Sequence, residues 1–532
     1  MSIYNRWTDT LHSILAGTSL SKRFQLVFLM LILWACIGVR VFTLKAPALD
    51  RTFWKEIDYI TISTNYWHHG MNFLRPEINW PADPHRVTAM EFPLVPYSAA
   101  FLYSLFGFNV FSVRLITLCA FLVMIVYVFL LVRRELGPIA GLVSGWTCAI
   151  LPLYHPFGKL LFSDPLMIAL CVVAMFHWTE WVESQKRRDW WIALVSFTLA
   201  VALKLEPLYL LLVLAWVMFR RHHFTLREYA PLVKFALISL ILPVLWYSFA
   251  YHLARTSIDV FGIFGGLGHT GHDKFQSLQE LTDPAWYHIM AQRLLAIVAG
   301  KVGLILLVAG LLVVLSVRKT GLFFVYLGSV MAYFGIVAEG QIDAPYRQLA
   351  IIPVFSVFIA LGAVGIVCAI ISMLPKSSSG STVGPRSVLI LCISGVLVLG
   401  LAYQRRADIL FRDSSRPVDP IRWELAQAIK HHATASTKLI AAGEYSLNRG
   451  GNDLSPVLYY YAGVQGWTIQ RADWNVDEVA HLIDKGATLF SAVEMSREPD
   501  SKPFLDAMRN KYATLHDAPD ELLLDLTRPA GH

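Results

Sequence analysis

From residue 24 to residue 403 the sequence keeps returning to apolar runs of the length a helix needs to cross a bilayer, and that repetition confines the chain to one class of fold. A hydrocarbon layer of roughly 30 Å takes about 20 helical residues, and within it every backbone amide and carbonyl must be bonded internally. About eleven stretches qualify by hydropathy, several of them short: 24–44, 110–132, 138–153, 165–182, 190–203, 207–219, 231–253, 302–317, 321–337, 349–374 and 387–403. With 56% hydrophobic and 16% charged residues and a mean hydropathy of +0.52, the 532-residue chain has too little polar surface to close a soluble globule. The expected fold class is an α-helical polytopic membrane protein.

Charge orients it. The net charge of +7 is not a nucleic-acid signal, because the basic residues sit in short clusters between apolar runs. Lys22/Arg23, Arg133/Arg134, Lys186/Arg187/Arg188, Arg220/Arg221/Arg227, Arg318/Lys319 and Lys376/Arg386 fall in alternate loops. By the positive-inside rule these loops and the amino terminus are cytoplasmic. An odd number of spans then puts residues 404–532 outside. The first span is too long for a signal-peptide core and has no small-residue cleavage site, so it is expected to remain as an anchor. All six cysteines lie in apolar runs, where they are expected to be small buried hydrophobes. The domain division read from the sequence is 1–403, a membrane domain that includes a first outer loop at 45–109, and 404–532, an extracytoplasmic α/β domain. In the tail, helical and strand patterns alternate at 422–431, 438–442, 455–461, 476–485, 487–493, 503–511 and 522–526. The Ser/Gly-containing stretch 375–385 reads as a linker, and the Gly-rich run 262–271, without a Lys-Ser/Thr ending, as a gating loop rather than a nucleotide site.

The first outer loop carries the chemistry. Residues 54–69 can be drawn as a helix lying on the membrane surface, with Asp58, Ile62, Asn65, Tyr66 and His69 on one face. A second apolar helix is expected to start at Glu91-Phe92-Pro93-Leu94 and run to Phe106, with Pro93 in its first turn. Asp58 and Glu91 would then be two carboxylates at the membrane edge, where one can take a proton from a hydroxyl. The histidine pairs His68/His69, His222/His223 and His431/His432 project in different directions on a helix and lack a carboxylate at ligand spacing, so no histidine metal site is expected. An oxygen-rich divalent-cation site using Asp58, Glu91 or Asp164 is the alternative.

Several of these residues form a pattern. Trp54-Lys55-Glu56-Ile57-Asp58, Asn65-Tyr66, Gly70-Met71-Asn72, Arg75-Pro76, Trp80 and Glu91-Phe92-Pro93-Leu94 resemble the first-loop signature of GT-C glycosyltransferases related to the protein O-mannosyltransferases and the aminoarabinose transferases of lipid A. Phe162-Ser163-Asp164-Pro165-Leu166, Lys204-Leu205-Glu206-Pro207 and Tyr346-Arg347-Gln348-Leu349 with Pro353 resemble later motifs of that superfamily. The tail's Leu458-Tyr459-Tyr460-Tyr461 and Gly466-Trp467 resemble part of its soluble domains. Asp343-Ala344-Pro345 departs from the pattern, since relatives often carry a histidine there.

The resemblance implies an inverting transfer of a monosaccharide from a polyprenyl phosphate of the undecaprenyl type to an envelope glycan, lipid or protein at the outer face. It implies Asp58 as general base and Glu91 as a second catalytic carboxylate, with no obligatory cofactor. Lys204, Arg347 and Tyr346 are the expected donor-phosphate contacts, and Asn65, Arg75, Asp164 and Glu206 the expected substrate contacts. Arg114 and Lys301 also stand at the outer ends of spans, where a lipid phosphate would lie. Two other classes remain open at this point. One is a lipid-linked glycan flippase or transporter, against which stands the near absence of ionisable residues at mid-membrane positions. The other is a polymerase or ligase using diphosphate-linked oligosaccharide.

Overall fold

The computed structural model describes residues 3–15, 20–41, 44–45, 55–80, 82, 86–88, 91–153, 157–222, 225–256, 277–314, 317, 320–373, 383–403, 420–443, 457–469, 471–497 and 500–531. The linker 375–385, except for its last few residues, and the whole Gly-rich run 262–271 lie outside the described residues. The chain divides into two compact units. One comprises Met1–Leu44, Arg114–Phe249 and His269–Arg412, and the other Lys45–Val113, Ala250–Gly268 and Asp413–His532.

In the first unit a helix occupies each of the stretches expected to span the membrane. Among the described residues, Lys22–Val41, Val110–Leu136, Ser163–Ser184, Arg227–Arg255 and Pro345–Met373 are long and apolar enough to cross by themselves. Pro284–Val298 and Gly300–Val314 qualify together, bent by 104°. Several of the remaining helices are too short to cross by themselves. Pro138–Ile150 and Leu210–His222 have 13 residues each, which at 1.5 Å per residue reach roughly 20 Å.

The missing length is taken up by irregular backbone at helix ends. Arg187–Leu203 stops at Lys204, whose backbone is extended. A 3-10 turn, Glu206–Tyr209, precedes Leu210–His222, and Gly321–Ile336 breaks at Val337 before the short helix Ala338–Asp343. Non-helical backbone at such depths is tolerated where protein buries it or where it lines a polar site, and these breaks carry the polar motifs singled out above.

Small residues set the tightest crossing. A Cβ on Gly310 would lie 1.8 Å from the carbonyl oxygen of Phe358, and one on Gly362 would lie 1.9 Å from that of Leu306. Helices Gly300–Val314 and Ile352–Met373 therefore meet backbone to backbone, the packing that small residues permit in a bilayer. Four of the cysteines are buried; Cys119 and Cys392 are exposed on their helices.

The second unit is built on a five-stranded sheet: β1 (Lys438–Gly443), β2 (Gln465–Ile469), β3 (Leu489–Val493), β4 (Tyr512–Ala518) and β5 (Glu521–Pro529). Their order is β2-β1-β3-β5-β4. β1 pairs in parallel with β2 and β3, while β5 runs antiparallel to β3 and β4. The two-residue period of a strand sends Leu439 and Ala441 to one face and Ile440 and Ala442 to the other. Helices Val476–Asp484 and Ser501–Lys511 cover the second face through Val479, Leu482, Phe504 and Met508. Two strands escaped the sequence pattern. β2 is short and holds Gly466, and β4 follows its helix at Tyr512 with no intervening turn residue.

The first face of the sheet is covered jointly. Leu425 and Ile429 of helix Pro420–His432 and Leu458 and Tyr459 of helix Val457–Ala462 share a core with Ile62, Tyr66, Ile78, Trp80 and Ala100 of the first loop. The loop also caps the sheet's edge: Gly466 of β2 accepts from the Ala82 amide at 2.7 Å and donates to the Asn79 carbonyl at 3.2 Å. An otherwise bare edge strand is thereby paired. The sequence division at 403 put this loop with the membrane helices, whereas in the structure it shares its core with the tail.

Candidate active site

Asp58 lies on helix Lys55–His68, in which Glu56 to Ser63, Asn65 and Tyr66 are all buried. The helix drawn from the sequence as lying on the membrane surface is instead enclosed on nearly every side. Its polar residues are consequently held in fixed surroundings. Asp58 is 1% exposed, and neither carboxylate oxygen has a hydrogen-bond partner. Burial pushes its carboxyl well above the ordinary carboxylate range, with Lys55 pulling partly in the other direction.

Glu91 stands differently. Its Oε1 accepts from Lys55 Nζ at 2.6 Å and its Oε2 from the Tyr59 hydroxyl. Lys55 and Tyr59 are one turn apart on the helix, three residues before and one after Asp58. Glu91 therefore ties down the turn that carries Asp58. The following helix, Leu94–Phe106, begins one residue beyond Pro93, which serves as its N-cap.

Asn65 and Arg75 belong to the framework of the loop. Asn65 Nδ2 donates to the Glu77 carbonyl at 2.8 Å and to Asn79 Oδ1 at 3.2 Å. Arg75, 57% exposed at its side chain, pairs with Glu77 at 3.0 Å. Arg86 and His69 each reach the same carboxylate at 2.9 Å. Glu77 is the hub that sequence reasoning missed. Its only signal was the clustering of basic residues on either side of it.

The first unit holds a second constellation. Asp164, in the first turn of helix Ser163–Ser184, accepts from Lys204 Nζ at 2.6 Å, with the Asp164 side chain 1% and the Lys204 side chain 9% exposed. Lys204 Nζ also stands 4.9 Å from the ring centroid of Tyr346, a cation–π contact. Phe162 and Phe157 pack edge-on against that ring, at 5.7 and 6.3 Å between centroids. Arg347, the next residue, lies in the field of Glu206, Tyr346, Tyr333 and Asp164. Its Nη1 is buried without a hydrogen-bond partner, and so is Glu206 Oε2. Gly340 makes room for the guanidinium: a Cβ there would lie 1.7 Å from Arg347 Nη1.

Asp164, Lys204, Glu206, Tyr346 and Arg347, drawn from three separate motifs, are thus brought to one place. Arg114 is 1% exposed and donates to the Leu44 carbonyl at 2.9 Å, and Lys301 is exposed. Among the described residues no three His, Cys, Asp or Glu side chains come together as a metal site would require.

The fold has known counterparts. Residues 89–247 match the sequence family described as dolichyl-phosphate-mannose-protein mannosyltransferase. No curated protein sequence matches the chain significantly. Among solved structures, ArnT from Cupriavidus metallidurans bound to undecaprenyl phosphate superposes with a TM-score of 0.60 at 13% identity, covering 93% of this chain and 97% of that one. The Archaeoglobus fulgidus oligosaccharyltransferase in its apo form gives a TM-score of 0.57 at 13% identity, over 93% of this chain and 73% of that one. The arabinofuranosyltransferase AftD from Mycobacteria gives 0.56 at 12% identity, over 97% of this chain and 42% of that longer one. Membrane helices and a carboxy-terminal sheet domain accordingly make up a GT-C-like fold, the fold that this chain shares with these three structures.

Proposed function

We propose that the protein is an inverting glycosyltransferase that moves one sugar from a polyprenyl phosphate, of the undecaprenyl type, to a hydroxyl of an envelope glycan, lipid or protein at the outer face of the membrane. The observation that carries the reading is Asp58, a buried carboxylate with both oxygens unspent and a raised affinity for protons. Such a group is suited to take a proton from a neutral hydroxyl rather than to balance a surface charge.

In the step, the acceptor oxygen forms a bond to the anomeric carbon as the bond from that carbon to the phosphate oxygen breaks. The polyprenyl phosphate leaves with the electron pair, the acceptor's proton passes to Asp58, and the anomeric centre inverts. By the family resemblance, Lys204 and Arg347 of the first unit are the groups expected to meet the charge building on the departing phosphate. Tyr346 fixes the Lys204 ammonium, Asp164 orients it, and Glu206 offers a carboxylate to the donor or to Arg347. Glu91 acts through Lys55 and Tyr59 to hold the Asp58 turn, and Asn65 and Arg75 act through the loop framework around Glu77. The step as written calls on no metal or other cofactor. That ArnT was solved with undecaprenyl phosphate and that the matched family is named for a dolichyl-phosphate sugar support a polyprenyl-phosphate donor here. The alternating basic loops support an amino terminus in the cytoplasm and a tail outside a bacterial inner membrane.

The test is turnover. Purified protein in lipid nanodiscs is given labelled undecaprenyl-phosphate pentoses and hexoses with envelope glycan, lipid and protein acceptors. Release of undecaprenyl phosphate together with label on an acceptor supports the reading. Translocation of intact donor in proteoliposomes without release would instead make the protein a flippase, and activity only on diphosphate-linked oligosaccharide would make it a polymerase or ligase.

A further inference from the structure

A buried hydroxyl on a helix has a partner close by, the carbonyl four residues back. Ser63 uses it, donating to the Tyr59 carbonyl at 2.5 Å, and Thr64 does the same to Ile60 at 2.8 Å. Thr61 does not. It is 4% exposed, and its Oγ1 is buried with no partner. Three residues earlier on the same helix face, both oxygens of Asp58 are in the same condition. Buried polar atoms in native proteins are nearly always bonded. Three unspent oxygens on two neighbouring side chains therefore describe a place that is completed by something other than the chain.

The chemistry of these oxygens narrows what completes it. One carboxylate and one hydroxyl are a poor set for a hard cation, which takes six or more oxygens, several of them carboxylate. They suit a pair of hydroxyls on a sugar ring. One such hydroxyl gives its proton toward the carboxylate, and its neighbour exchanges a hydrogen bond with the threonine, across side chains whose Cβ atoms at this spacing are about 5–6 Å apart.

We propose that Thr61 is a specificity-determining contact, its hydroxyl bonding a sugar hydroxyl next to the group that Asp58 engages. This rests on the glycosyltransferase reading. The sugar belongs either to the donor or to a glycan acceptor, and the kinetics tell the two apart. A site built to bond a hydroxyl rejects the analogue lacking it, because its own polar group is then left unpaired.

The experiment uses the full chain with Thr61→Val, which keeps the shape and removes the hydroxyl, and Thr61→Ser, which keeps the hydroxyl. Thr61→Val is expected to lower kcat/KM by about tenfold or more, the effect of one hydrogen bond. Thr61→Ser is expected to restore most of the activity, and the melting temperature of Thr61→Val to be no lower than that of the wild type, since no bond within the protein is lost. A change confined to the KM of the undecaprenyl-phosphate sugar places the contact on the donor, and one confined to the acceptor's KM places it there. Wild-type kcat/KM for both substrates in Thr61→Val overturns the proposal. So does an activity loss that Ser fails to rescue and that tracks a lowered melting temperature. A wild-type protein with no turnover on any donor removes the glycosyltransferase reading itself, and this contact with it.

Discussion

Replacing Asp58 by Asn separates a catalytic carboxylate from a structural one, because the two roles predict opposite changes in stability. The side chain is 1% exposed and makes no hydrogen bond, so its removal as a charge breaks nothing within the protein. The sign follows from its raised folded-state affinity for protons. Below the ordinary carboxylate pKa, folded and unfolded chains both hold the proton and Asp58 costs nothing in charge. As pH climbs from there toward the raised folded value, the unfolded chain releases its proton while the folded one keeps it, and stability falls. Above the folded value the native protein carries an unpaired buried anion.

A side-chain amide in the same place cannot titrate. Asp58→Asn should therefore flatten the decline in melting temperature as pH climbs above the ordinary carboxylate range, and at neutral pH it should be no less stable than the wild type, with a gain on the order of 1 kcal/mol or more. In a chain of this length that is a rise of about 1–2 °C per kcal/mol. Turnover should fall by about 10²–10⁴-fold, the usual contribution of a positioned general base. In the wild type, activity should climb with pH through a group titrating above the ordinary carboxylate range. The assays are differential scanning fluorimetry in detergent across pH and release of undecaprenyl phosphate from labelled donor. If Asp58→Asn loses several degrees and its activity loss follows the unfolded fraction, or if it keeps more than about a tenth of wild-type kcat, the reasoning fails.

Three further outcomes test the geometry. Gly340→Ala puts a methyl group where Arg347 Nη1 now lies; since the flexible guanidinium can move away, the variant should fold with near-normal melting temperature yet show a severalfold higher KM for the lipid-linked donor, as measured in initial-rate kinetics. Gly362→Leu collides with the Leu306 carbonyl, which has nowhere to go, so detergent-purified yield and melting temperature should both drop sharply in fluorescence-detected gel filtration. Trp80→Ala empties a 1% exposed site in the core shared by the first loop and the tail; at about 3–5 kcal/mol for a buried tryptophan, limited proteolysis should cut the first loop and the tail together, and loss of protection in only one of them would refute the shared core.

What could be read in the sequence were the features that depend on nearest neighbours along the chain. Apolar runs gave the membrane helices one by one, since hydrocarbon forces each run to bond its own backbone. The two-residue and 3.6-residue periods gave most of the tail. Asp58, Lys204 and Arg347 stood out because the short motifs that hold them resemble those of a known family. Short helix ends such as Glu206–Tyr209 stayed hidden, because whether backbone can leave the helix at depth depends on what buries it.

Only tertiary structure told the acids apart. Asp58 and Glu91 look alike in sequence, but packing left one without a partner and gave the other Lys55 and Tyr59. Thr61, Ser63 and Thr64 are alike in composition, and a hydrogen bond four residues back distinguishes two of them from the third. The joining of residues 45–113 to the carboxy-terminal sheet is of the same kind. Contacts between segments more than 300 residues apart leave no period in the sequence. Desolvation and hydrogen bonding, which decide what a carboxylate or hydroxyl can do, are properties of the folded surroundings rather than of the residue.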